Sequence, residues 1–132
     1  MKSLLVGLAW LLVLVPARSF PAEVPVPVGH LLLLGGSDEP REFWPRFLEL
    51  AGGSDAPIVV LPTASERPEA GPEYAAELQQ QFGAKSVRWL PIYSQADARD
   101  ERYVAALRAA RGIFFTGGDQ AKITRAARSA AT

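Results

Sequence analysis

No cysteine occurs in the 132 residues. Its absence excludes disulfides, thiolate zinc sites, a cysteine nucleophile and a lipid-bearing cysteine at a processing site. Histidine is nearly as scarce, with His30 the only one. Neither sign of charge predominates, since 14 Lys and Arg stand against 14 Asp and Glu. A nucleic-acid binder carries a basic excess or a Lys/Arg stripe, and this chain has neither, so no nucleic-acid partner is expected. The longest apolar run, Leu4–Val15, is about a dozen residues, short of the roughly 20 that a membrane-spanning helix needs. What is present is ordinary: 48% apolar and 21% charged residues, enough for one globular core and, at this length, one domain at most.

The N-terminal run reads as an export signal. Lys2 supplies the positive start, Leu4–Val15 the apolar stretch, and Pro16 the break. Ala17-Arg18-Ser19 then places small residues at the two positions that a signal peptidase reads. Cleavage is expected after Ser19, giving a secreted or periplasmic product without stable membrane insertion. Removal of residues 1–19 takes two of the 14 basic residues, Lys2 and Arg18, and no acid. Twelve then remain against 14 acids, a balance of −2. Residues 20–29 carry three prolines in alternation and read as a stiff, extended leader.

From His30 onward, strands alternate with helices. Leu31–Leu34 before Gly35-Gly36 has the continuous apolar character of a strand buried on both faces. A helix is expected from near Trp44 to Ala51, with Pro45 in its first turn and Gly52-Gly53 closing it. Ile58–Leu61 is a second strand, rich in β-branched residues. A helix from Pro72 follows, with Tyr74, Leu78 and Phe82 on one face and Gly83 at its end. Ser86–Leu90 is a third strand, placed nearer an edge by Arg88. Asp100 caps a helix with Tyr103, Val104, Leu107 and Ala110 inward, Ile113–Phe115 is a fourth strand, and a last helix runs from Ala121 to about Ala131. The pattern predicts an α/β domain in which a parallel sheet of about four strands carries helices on both faces. Four strands are few for a doubly wound sheet, so the domain reads as an incomplete flavodoxin-like one. Right-handed crossovers bring Gly35–Glu39, Thr63–Glu66 and Gly117–Gln120 together at the C-terminal end of the sheet, where such sheets bind ligands.

Each of these loops has a structural and a chemical reading. Gly35-Gly36-Ser37-Asp38-Glu39 lacks the third glycine of a dinucleotide fingerprint, and its two carboxylates would repel a pyrophosphate; a tight turn with Ser37 or Asp38 as helix cap fits it. Ser65 has neither flanking glycines nor a histidine to activate it, so the hydroxyls of Thr63 and Ser65 read as loop caps. Adjacent glycines at Gly117-Gly118 let backbone N–H groups approach a reacting atom, as an oxyanion hole requires. Asp119 and Gln120 follow at a helix start, Asp119 as cap and Gln120 with an amide for a polar substrate. A structural turn and a functional loop stay equally open for this segment.

With these loops placed, the chain resembles the cyanophycinase and dipeptidase E family of serine peptidases, which have the class I glutamine-amidotransferase-like α/β fold. The matching stretches are His30–Gly36 (HLLLLGG), Leu48–Gly53 (LELAGG), Ile58–Glu66 (IVVLPTASE) and Gly112–Gln120 (GIFFTGGDQ). They fall in family order over nearly all of residues 30–125, and the Asp119-Gln120 ending gives the cyanophycinase flavour. The resemblance implies a hydrolase of aspartyl-linked peptides, cyanophycin or related dipeptides, with no cofactor and no metal, and it admits a homodimer. It also implies that backbone N–H groups of Gly117 and Gly118 stabilise the oxyanion and that Asp119 and Gln120 border the substrate pocket. The family's nucleophile lies in a later G-x-S-x-G elbow, with its histidine later still. Here Ser129 is the only serine after Gln120, without flanking glycines, and His30 begins the first apolar run. Residues 30–132 are therefore expected to be the N-terminal part of a peptidase domain, truncated before the nucleophile and inactive alone. A complete, non-catalytic α/β ligand-binding remnant is the alternative, and a nucleotide-binding domain a more distant third.

Overall fold

The computed structural model describes residues 28–35, 40 and 42–128. The expected signal segment 1–19, most of the leader and the Gly36–Glu39 part of the first loop lie outside these residues. Eight elements follow in order: α1 (Phe43–Ala51), β1 (Ile58–Leu61), α2 (Ala70–Gln80), β2 (Val87–Trp89), α3 (Gln95–Ala98), α4 (Glu101–Ala109), β3 (Gly112–Phe115) and α5 (Gln120–Ala127). The strands form one parallel sheet in the order β2-β1-β3. Ile58 pairs with Val87 on one side and with Gly112 on the other. This is the opening of the flavodoxin-like strand order, with its switch point between β1 and β3.

The central position of β1 follows from its residues. All four are buried, because a strand with neighbours at both edges and helices on both faces leaves nothing for water. Ile58 and Val60 face α1 and α2, in a core with Trp44, Leu48, Leu78 and Phe114. Val59 and Leu61 face the other way, joining Leu90 and Ile92 beneath Ala98, Tyr103, Ala106 and Leu107. The first core is densely aromatic: Trp44 and Phe114 meet edge-on at 4.6 Å between ring centres, and Tyr74 lies 5.1 Å from Phe114. Fully burying one such side chain is worth roughly 1.5–3 kcal/mol.

Helix boundaries follow local chemistry. α1 closes on Gly52, whose φ of +110° is the left-handed conformation glycine adopts freely. Gly52 and Gly53 return their N–H groups to Leu48 O, at 3.1 and 2.8 Å. α2 begins at Ala70, two residues before the expected Pro72; proline fits a first turn because its missing N–H has no acceptor there. Asp100 caps α4 as expected, accepting from the Arg102 N–H. On that helix Ala106 packs inward beside Tyr103, Leu107 and Ala110, and Val104 is not among the residues of this core.

One strand differs from expectation. Leu31–Leu34 forms no strand, and Leu31 and Leu33 are 81% and 86% exposed. The described sheet therefore has three strands, not four. Both edges of β1 are already occupied by β2 and β3, so the leucine run has no place beside the centre of the sheet. Without a ladder, nothing fixes its backbone as a strand. His30, beside it, is exposed. Arg88 is on an outer strand, also as expected. α3 was not anticipated. Among the described residues, no helix is long and apolar enough to cross a membrane.

Candidate functional site at the switch point

The loops that leave β1 and β3 lock together at the C-terminal end of the sheet. Thr116 N–H donates to Leu61 O at 3.1 Å, extending the ladder one step past the strands. Asp119 N–H then donates to Ala64 O at 3.0 Å. Between them Gly118 has a φ of +139°, and a Cβ there would stand 2.1 Å from Ala64 O. Only glycine lets the β3 loop lie this close to the β1 loop. The need for glycine at 118 is thus both conformational and steric, whereas Gly117 has open space around it.

This docking divides the backbone donors. The Asp119 N–H is committed to Ala64. Gly117 and Gly118 are exposed, and their N–H groups have no acceptor among the described residues. Two adjacent free N–H groups at a switch point can hold a negative oxygen. The Asp119 carboxylate serves its own helix, accepting from Ala121 N–H at 2.8 Å and approaching the Arg125 guanidinium at 3.7 Å. Gln120 is exposed at the first position of α5, and its amide has no partner among the described residues. Asp119 and Gln120 therefore share the site edge but differ in freedom.

The Thr63–Glu66 loop acts as a frame. Thr63 is buried, and its hydroxyl donates to Ile92 O at 2.7 Å, tying the end of β1 to the chain beyond β2. Ser65 Oγ accepts from Arg67 N–H at 3.0 Å. The guanidinium of Arg67 is held by Glu69 and Glu73, and those carboxylates push its pKa further up. The structural reading as a loop cap holds for Ser65, whereas the Thr63 hydroxyl ties its loop to the chain beyond β2 instead. Lys122, one turn into α5, reaches back to Ser65 O at 3.5 Å and to Glu66 at 3.7 Å.

Beside these loops is a cleft to which Tyr93, Ser94, Lys122 and Arg125, not singled out by the sequence, contribute. Thr63, Ser65, Tyr93, Ser94, Lys122, Arg125 and Ala126 line a cleft of about 450 Å³ between α5 and the ends of β1 and β2. Ser94 in its wall is the N-cap of α3, whose start is a capping box. Ser94 Oγ accepts from Asp97 N–H, and the Asp97 carboxylate accepts from Ser94 N–H at 2.9 Å. The bonds from Tyr93 N–H, then from the Ser94 hydroxyl, hold the Asp97 carboxyl below its usual range. The Ser-x-x-Asp spacing of Ser94 and Asp97 is the signal that reveals this helix. Among the described residues, no three His, Asp or Glu side chains are grouped as a metal site.

Fold and loop geometry define the class: an α/β domain of flavodoxin-like strand order whose β1 and β3 loops form a donor-bearing switch-point site. Comparison with known proteins points to a family. The chain is 33% identical over 99 residues to a cyanophycinase of Synechococcus elongatus, covering 73% of this chain and 31% of that protein. A cyanophycinase of Geminocystis herdmanii is 30% identical over 96 residues, covering 70% of this chain and 35% of that one. A third, from a Nostoc species, is 31% identical over 96 residues, covering 70% and 32%. These matches support a cyanophycinase-family relationship, to the N-terminal part of the family. The chain spans about a third of the length of the curated relatives it matches. No family model matches it.

Proposed function

We propose that these residues form the oxyanion loop and pocket edge of an exported serine-type peptidase that hydrolyses aspartyl-linked peptides, cyanophycin or related dipeptides among them. The observation that carries this reading is the pair of exposed N–H groups at Gly117 and Gly118, without an acceptor among the described residues, where the β3 loop docks on Ala64. The family relationship supplies the chemical context.

The attack of a serine oxygen on a peptide carbonyl moves negative charge onto the carbonyl oxygen. Donors already fixed about 2.7–3.1 Å from that oxygen stabilise it without reorganising. Gly118, locked against Ala64, holds its neighbours in place for this task. Gln120 would bind the polar backbone of the aspartyl substrate through its free amide, and Asp119 would hold α5 and the pocket rim in place. The sequence contains no G-x-S-x-G elbow, and neither Ser129 nor His30 has the setting of a nucleophile or base. On this reading both groups come from outside these 132 residues.

The test is expression of the complete reading frame that contains these residues, followed by assay on cyanophycin and on β-aspartyl dipeptides. Release of free peptide products, with KM raised several-fold by Gln120→Ala, is the expected result. A soluble, folded product that hydrolyses neither substrate would overturn the peptidase reading and leave the non-catalytic, ligand-binding alternative. Export is tested separately: the mature protein should begin at Phe20 by intact mass, and retention of residues 1–19 would refute cleavage.

A further inference from the structure

The cleft beside α5 contains none of Gly117, Gly118 or Gln120, and its chemistry is different. We propose that it is a binding site for a small oxyanion, a carboxylate or a phosphate, with Lys122, Arg125 and Tyr93 as its donors. Lys122 and Arg125 are three residues apart, and both line the cleft on the same stretch of α5. Opposite them are the loops that leave β1 and β2.

The hydroxyls in the wall are largely committed. Thr63 donates to Ile92 O, Ser65 exchanges bonds with Arg67, and Ser94 donates to Asp97. They give the cleft its shape and polarity. The cations are different. Lys122 Nζ is 3.5 Å from Ser65 O and 3.7 Å from Glu66, and Arg125 is 3.7 Å from Asp119. A well-formed charge-assisted bond is about 2.7–2.9 Å, so all three contacts are slack. Exposed ion pairs of this kind contribute little, and an incoming anion can recruit both cations without dismantling a strong bond. The third nearby carboxylate, Asp97, is turned to the N–H groups of Tyr93 and Ser94 and does not compete for them. Tyr93 is 49% exposed and has no side-chain hydrogen bond among the described residues. Two cations with only slack partners and one phenol, gathered on one half-open cleft, fit a compact anion.

Binding needs no nucleophile, so this proposal stands or falls apart from the peptidase reading. The experiment is a titration of the 15N-labelled full chain with inorganic phosphate and, separately, with succinate at low salt, followed by amide shifts. Saturable shifts at Ser65, Ser94 and Lys122 are expected, weakening as salt is raised. Lys122→Ala with Arg125→Ala should weaken binding at least about tenfold, the order of one lost charge-assisted hydrogen bond. Tyr93→Phe, an exposed change that keeps the ring and the packing, should weaken it about threefold on the scale of one neutral hydrogen bond. Response to phosphate alone identifies a phosphate source, and a comparable response to succinate identifies a carboxylate source. No localised shift with either anion overturns the proposal, and so does affinity unchanged in both variants.

Discussion

Ile58–Leu61 and Leu31–Leu34 are both runs of four aliphatic residues, yet the first is the centre of the sheet and the second is largely exposed. Hydrophobicity does not separate them. Ile58, Val59 and Val60 are β-branched, and such side chains are restricted in a helix and pack well on a pleated surface. The second run is all leucine, which is among the better helix formers. Context separates them further. β1 is fixed at its entrance by Ile58 N–H on Ser86 O at 2.8 Å, and Pro57 O accepts from Arg111 N–H at 2.8 Å. Its exit is fixed by the Thr116–Leu61 and Leu90–Val60 bonds. The leucine run has no such anchorage in the described sheet. An apolar run becomes a strand when at least one of its edges finds a ladder, as β3 does on β1, and a fully buried one when both edges and both faces are covered, as in β1.

Breaking β1 should have the largest effect. Leu61 is 5% exposed and fills the core beneath α4. Leu61→Ala should lower unfolding stability by about 2–5 kcal/mol, the range for large-to-small changes in packed cores. Denaturant titration measures it as a fall in midpoint with little change in slope. A loss below about 1 kcal/mol would mean that the site collapses around the deletion and that β1 is less central than its burial implies.

Next comes the lock between the exits of β1 and β3. Gly118→Ala would force a side chain to a φ of +139° and against Ala64 O. The conformational strain alone costs of order 1–3 kcal/mol. Its diagnostic readout is local: the Asp119 amide, now bonded to Ala64 O, should exchange with solvent at least tenfold faster. Unchanged protection of that amide would show that the loop tolerates a Cβ and that the glycine is not what seats it.

A smaller effect sharpens the account of the helix that covers Val59 and Leu61. The Arg102 guanidinium, aided by the Arg102 N–H, holds the Asp100 carboxyl down to about 2 from its usual 3.8. The folded state then binds this proton less readily than the unfolded chain does. The contribution of Asp100 is complete above about pH 4 and is lost as pH falls through about 2. The group is at the surface, so the effect is modest. Unfolding midpoints followed from pH 5 to pH 2 should fall further for the parent than for Asp100→Asn. Parallel curves would remove Asp100 from the acid response.

Much of this architecture was legible in the sequence because its signals are local. The glycines at 52 and 83, the caps at Asp100 and Asp119, and the face formed by Tyr74, Leu78 and Phe82 each specify their element without reference to the rest of the chain. The gathering of the Thr63 and Gly117 loops was also legible, because parallel strands with right-handed crossovers must share one C-terminal end. Two features were not. The Ser94–Asp97 box is visible in the sequence, but it opens a helix of only four residues, too short to show periodicity. The cleft near Lys122 and Arg125 unites three segments that are about 30 residues apart in the chain, and no spacing rule announces such a meeting.

The leucine run was misread for a related reason, and it supplies the smallest predicted effect. Four consecutive leucines before a glycine pair look like a buried strand, but burial is decided by which edges remain open. Here β2 and β3 occupy both edges of β1. Leu33 is 86% exposed, so truncating it removes little buried area and creates no cavity. Leu33→Ala should therefore change stability by less than about 0.5 kcal/mol, as surface substitutions usually do. That is several-fold less than Leu61→Ala, although the same atoms are deleted from the same residue type. Denaturant midpoints of the two variants, measured side by side, test the contrast directly. Equal losses would mean that Leu31–Leu34 is packed as firmly as β1, on an outer edge of β2 or β3, and the sheet would then have a fourth strand.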